Sequence, residues 1–228
     1  MARRSRQLDL ALSSSSRWGG RRAGAGRKPG PNRGLPHASR DDFSRPLPAH
    51  VTLRVRPGIP SLRTVPIVHA IERSFGAACA RPGFRLVHYS LLGNHAHLIV
   101  EARDRHALGR GMKAIAGRIA RAVNRIARRR GKVFADRYHL RLLPTPREVR
   151  LALRYVLLNA RHHLGANRSG SSLDPASSAR WFDGWVREAP ARGTSPPPTT
   201  RPVARAKTWL LRMGWRRHGL IDPSDVPG

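Results

Sequence analysis

A single cysteine, Cys79, is present in 228 residues. One thiol closes no intrachain disulfide and builds no zinc cluster by itself, which suits a reducing compartment. Acidic residues are also scarce: 13 Asp and Glu face 44 Lys and Arg, a formal charge of +31. A compact chain so charged repels itself unless polyanions or counterions neutralise it, and nucleic acid is the natural partner. GC-rich codon usage raises Arg along with Ala, Gly and Pro, but does not by itself make the balance this lopsided. The N-terminal stretch lacks the apolar run of a signal peptide, and no uninterrupted apolar stretch is long enough to span a bilayer. The expectation is a soluble cytoplasmic protein associated with the nucleoid, with no membrane partner. A glycine loop of the kind that cradles nucleotide phosphates is missing too, so ATP is not expected to take part.

What is present is unevenly distributed. Of the residues, 21 are Gly and 19 Pro, concentrated near the two ends, so one central domain with flexible flanks is expected. Residues 1–45 hold eleven Lys or Arg against three acids and show no apolar period, which reads as a disordered basic arm. Within it, Gly26-Arg27-Lys28-Pro29-Gly30 resembles the core of a minor-groove AT-hook, making Arg27 and Lys28 candidate DNA contacts. Residues 166–228 read as a flexible linker, rich in Ser, Pro and Gly from Ser169 to Thr200, followed by a small, basic docking helix around Trp209 to Trp215.

Between these flanks, residues 46–165 carry regular periods. His50 to Arg56 alternates as a strand, and Ile67, Val68, Ile71, Phe75 and Cys79 follow helical spacing. Phe84 to Leu91 and His95 to Glu101 are strand-like runs separated by Leu92-Gly93-Asn94, which predicts an antiparallel hairpin. From Leu108 to Arg130 one helical stripe is apolar, and a second consists of Arg118, Arg121, Arg125 and Arg128, facing solvent or phosphate. Tyr138 to Leu143 reads as a further strand. Thr145-Pro146-Arg147-Glu148 is a capping box with proline at the first helical position, and it starts a helix that runs to about His163. Strand, helix, strand, strand, helix, strand, helix is the order of an α+β, ferredoxin-like antiparallel sheet with packed helices and one helix more.

His95 and His97 stand two apart on the second strand of the hairpin, on one face and roughly 6.5–7 Å apart along the chain, so that two imidazoles can converge on one metal ion. Ala96, Leu98 and Val100 supply the opposite, apolar face. Two histidines on a strand are, as a bare spacing, more often surface or structural groups. Tyr155 and Asn159, four apart, share a face of the last helix and can present a phenol and an amide oxygen together. Taken alone, they also suit an amphipathic core residue and a polar helix end.

Tyr89-Ser90-Leu91-Leu92-Gly93-Asn94-His95-Ala96-His97-Leu98-Ile99-Val100, followed by Arg137-Tyr138-His139 and Arg154-Tyr155-Val156-Leu157-Leu158-Asn159, resembles the single-tyrosine HUH transposases, in the REP-associated tyrosine transposase branch. The resemblance spans roughly residues 46–165. It implies His95 and His97 as metal ligands with Asn159 as the third, Mg²⁺ or Mn²⁺ as the ion, and Tyr155 as the nucleophile. Single-stranded DNA, in a hairpin or repeat-derived form, is the implied substrate, cleaved and rejoined through a 5′ phosphotyrosine. Three departures stand out: Gly93 where the family usually has proline, Ala96 as the middle residue of the histidine pair, and Ala160 where proline often follows Asn159. Tyr138 is the competing nucleophile. An inactive or domesticated nucleic-acid-binding protein is the rival reading, a nuclease that activates water at the two histidines is a third, and a homodimer is left open.

Overall fold

The computed structural model of the chain describes residues 42–76, 79–164, 173–187 and 201–225. The expected arm, with Arg27 and Lys28, lies outside the described residues up to Asp41. In chain order come β1 (Leu47–Arg54), α1 (Val65–Gly76), β2 (Ala80–Arg81), β3 (Phe84–Leu91), β4 (His95–Ala102), α2 (Arg105–Ile126), β5 (His139–Leu142), α3 (Pro146–Leu164) and α4 (Trp209–Arg212). One five-stranded sheet runs β2-β3-β4-β1-β5 with antiparallel pairing throughout. Apart from the two-residue β2, the strands take the order of the expected ferredoxin-like α+β fold. β2 is a short edge strand turned back on β3 through Pro82 and Gly83, and Gly83 sits at φ +73°, where a side chain is strained.

Local chemistry sets the helix ends. Asp104 caps α2 by accepting from the Ala107 amide at 2.7 Å. The helix closes at Ile126, short of the expected Arg130, because Arg128 turns into the left-handed region at φ +48°. Arg128 thus lies beyond the end of the helical stripe. At the start of α3 Thr145 caps as read, with the Glu148 amide donating to Thr145 Oγ1 at 3.3 Å, while Glu148 closes the turn by accepting from the Thr145 hydroxyl at 2.7 Å rather than from its backbone amide.

The alternation of the strands sorts side chains into two cores. On one face Val51, Leu53, Ala96, Leu98 and Val100 pack against Ile67, Ile71 and Phe75 of α1 and Met112, Ile115, Ile119 and Val123 of α2. On the other, Val87 and Ile99 meet Val149, Leu153, Val156 and Leu157 of α3, which are covered in turn by Leu173, Phe182, Leu211, Trp215 and Ile221. Residues 173–187, which the composition gives to a linker, therefore pack onto α3 together with the short basic helix read as a docking element. At about 1.5–3 kcal/mol for each large apolar side chain buried, they contribute to the domain's stability. Two polar anchors tie them down. Asp174 takes a two-pronged ion pair from Arg63 at 2.7 and 2.9 Å. The buried Glu101 carboxylate accepts from the Lys207 and Thr208 amides and from the Thr208 hydroxyl, between 2.6 and 3.0 Å, and so holds the start of α4.

Candidate active site

β4 carries the histidine pair on the face opposite Ala96, Leu98 and Val100, as its alternation predicts. The rings of His95 and His97 lie 4.7 Å apart between centroids and nearly perpendicular, at 89°. Asn94, in the hairpin turn, faces His95 Nδ1 with its Oδ1 at 2.6 Å. An amide oxygen only accepts, so Nδ1 carries the proton and the lone pair of the neutral ring sits on Nε2.

His97 is buried and is oriented by the neighbouring strand. In the register of β1 and β4, Thr52 stands opposite His97, and His50 lies two residues along on the same face. The His97 Nδ1 atom lies 3.0 Å from His50 Nε2 and 3.1 Å from Thr52 Oγ1. Both contacts engage the same ring nitrogen, which fixes the rotation of the imidazole and turns Nε2 the other way. Burial, with Arg141 nearby, lowers the His50 pKa to about 4, so His50 is neutral near pH 7 and can share a hydrogen bond with a second neutral imidazole.

α3 brings Tyr155 to this pair. Its ring centroid is 5.2 Å from that of His97, edge-on at 82°, and 5.7 Å from that of His50. A cavity of about 390 Å³ opens beside these rings, lined by His50, Thr52, His97, Arg141, Arg154 and Tyr155 among others. Arg141 and Arg154 give it positive charge, partly offset by Glu148, which lies 3.5 Å from Arg141, and by Asp225, 3.9 Å from Arg154. One helical turn beyond Tyr155, Asn159 is fully buried, and neither its oxygen nor its nitrogen has a hydrogen-bond partner among the described residues. A buried amide left in this state costs about 1–3 kcal/mol for each unpaired group.

That orphaned amide bears on the expected metal site. No group of three or more His, Cys, Asp or Glu among the described residues is arranged to hold a metal ion. The expected donors are instead two imidazoles and one amide oxygen, all neutral; the amide oxygen and water are ligands of the kind Mg²⁺ and Mn²⁺ take, whereas imidazole nitrogen is a donor that first-row transition ions accept more readily than Mg²⁺. The paired histidines offer nitrogen donors, and the Asn159 amide, unpaired among the described residues, is the candidate oxygen donor.

The remaining candidates are placed differently. Tyr138, half-buried, packs with the α1/α2 core on the far side of the sheet from Tyr155. Arg118 is half-buried on α2, while Arg121 and Arg125 on α2 and Arg128 past its end are exposed. Since α2 covers the face of Ala96, Leu98 and Val100, these arginines belong to the layer away from the histidines. Sequence reasoning missed His50, Thr52 and the orienting role of Asn94. The alternation of β1 puts His50 and Thr52 on its polar face, but only the strand order makes β1 the neighbour of β4.

No protein-family model matches the chain, and no curated protein matches it. Among solved structures it is similar to a REP-associated tyrosine transposase bound to a REP hairpin, with a TM-score of 0.53 and 13% identity over 76% of this chain and 100% of that one. A proposed transposase from Deinococcus radiodurans R1 gives a TM-score of 0.37 and 16% identity over 44% of this chain and 82% of that one. At this identity the first likeness establishes the fold.

Proposed function

We propose that the protein is a transposase-like enzyme that binds single-stranded or hairpin DNA and cuts and rejoins it through Tyr155. The observation that carries this reading is the meeting of Tyr155 with His97 and of His97 with His95, at 5.2 and 4.7 Å between rings, although the tyrosine and the pair lie on elements far apart in the chain. The fold shared with a transposase that holds a hairpin of DNA supports it, as does the charge of +31.

In this mechanism Arg141 and Arg154 hold the scissile phosphodiester in the cavity by charge-assisted hydrogen bonds. The phenol oxygen of Tyr155 attacks phosphorus in line and gives up its proton. The bond to the 3′ oxygen breaks, that oxygen leaves as a hydroxyl after taking a proton, and a 5′ phosphotyrosine remains. Because one ester replaces another, the free 3′ hydroxyl can reverse the step without ATP. His95, His97 and Asn159 would hold Mg²⁺ or Mn²⁺, which supplies charge stabilisation at the phosphoryl oxygens. Asn94, Thr52 and His50 keep the two imidazoles oriented for that task.

The deciding experiment incubates the protein with an end-labelled hairpin oligonucleotide and Mn²⁺ and looks for a protein–DNA adduct that survives denaturation. An adduct is expected. Binding without an adduct would favour a non-catalytic DNA-binding protein, and cleavage without an adduct a nuclease that activates water.

A further inference from the structure

A second cavity, of about 480 Å³, lies against β3 between the short helix at Ser178–Trp181 and α4, and shares no lining residue with the Tyr155 cavity. Arg201, Arg205, Arg212 and Arg216 line it, and Asp183 is the one acid among its lining residues. Asp183 pairs with Arg216 at 3.0 Å, so three guanidinium charges remain unbalanced there. Three donors in this wall are buried and have no acceptor among the described residues: the indole nitrogen of Trp181 and the Nε atoms of Arg201 and Arg216. His88 forms part of the floor. Burial and Arg201 lower its pKa to about 3, which keeps it from adding to the charge near pH 7.

Like charges crowded at a half-buried wall repel one another, and buried donors without acceptors are costly. Both costs are relieved by one kind of ligand, an anion with several oxygen acceptors, and guanidinium forks match phosphate best. We propose that this cavity is a phosphate-binding site that takes a phosphate group of the DNA strand processed at Tyr155. It rests on the DNA-processing reading above. A strand held at two separate places would be fixed in direction as well as in position, because phosphate contacts set the register of a nucleic acid on its protein.

Arg205 and Arg212 are exposed, and neither side chain makes a hydrogen bond or ion pair with a described residue, so the Arg205→Ala/Arg212→Ala double variant of the full chain should fold normally. Arg73→Ala/Arg81→Ala removes the same charge from an exposed surface elsewhere and serves as the control. Calorimetric titration with inorganic pyrophosphate is expected to show saturable binding that weakens at least about tenfold in the first variant and less than about twofold in the second. With a single-stranded oligonucleotide, the slope of log affinity against log salt should fall by about 0.7 for each phosphate that the variant no longer neutralises. No saturable pyrophosphate binding, or equal weakening by both variants, overturns the site. Loss of pyrophosphate binding with an unchanged oligonucleotide slope overturns the DNA assignment and points to a free phosphate-bearing small molecule. The Tyr155 adduct is scored separately. Adduct formation with an indifferent cavity strikes this inference alone, whereas a working cavity in a protein that never forms the adduct strikes the catalytic reading alone.

Discussion

Among single residues, Tyr155 and Asn159 make the sharpest claims. Tyr155→Phe deletes the attacking oxygen and keeps the ring beside His97, so the adduct should vanish with little change in melting temperature. Tyr138→Phe, altered on the other side of the sheet, should still form it. An adduct that persists in the first variant and disappears in the second would reassign the nucleophile. For Asn159 the expectation runs against the usual cost of core substitutions. Its amide is buried with both polar atoms unpaired among the described residues, so Asn159→Leu removes an unsatisfied group and, in metal-free buffer, should leave stability unchanged or raise it by about 1 kcal/mol. The same change should abolish any rise in melting temperature on adding Mn²⁺. A melting point that drops sharply without metal would show the amide to be a structural group. Tyr155 and Asn159 were legible as a pair because helical spacing puts residues four apart on one face. His50 was not, because its partner is 47 positions away and only the sheet brings the two together.

For whole elements, legibility followed periodicity. The hairpin β3–β4 and the start of α3 lie where alternation and the capping box put them, since each signal is local. Trp215 lies in the short basic helix that the sequence offers for docking, but the packing of residues 173–187 was hidden because Leu173 and Phe182 follow neither a strand period nor a helix period beside a stretch rich in Ser, Pro and Gly. Their common feature is a surface, the outer side of α3, that no local pattern announces. The seat of α2 on β3 is a further element-level constraint. A Cβ added at Gly111 would come within 2.2 Å of the Phe84 ring, so Gly111→Ala forces the helix off the strand. We expect a loss of about 1–3 kcal/mol in urea-induced unfolding. An unchanged midpoint would mean that the ring moves aside without cost.

Across the whole molecule, two buried histidines tie stability to pH. His88 and His50 have pKa values lowered to about 3 and about 4, in both cases mainly by burial. The unfolded chain therefore takes up protons below about pH 6.5 that the folded one refuses. Stability from this source is fully present above that pH and is lost as pH falls toward the folded values. Between about pH 6.5 and about pH 4.5 the loss should reach about 2–3 kcal/mol per histidine, read from urea unfolding at the two pH values. His88→Asn should flatten the dependence, and an equally steep loss in that variant would place its origin in other groups.

The covering of α3 also has a consequence in time. A ribosome releases the chain from its N-terminus, and the α1/α2 core takes from beyond β5 only Ala176 and Val203, with Trp181 and Leu210 packed against it. α3 emerges next, yet Trp215 and Ile221, which cover Val149, Leu153 and Val156, are made well afterwards. Throughout that interval the nascent protein displays a bare apolar helix bearing Tyr155, next to a sheet that is already formed. A stalled or truncated product would thus offer chaperones and proteases a recognisable sticky surface, and the tyrosine would gain its settled position only once the residues through Ile221 have been made.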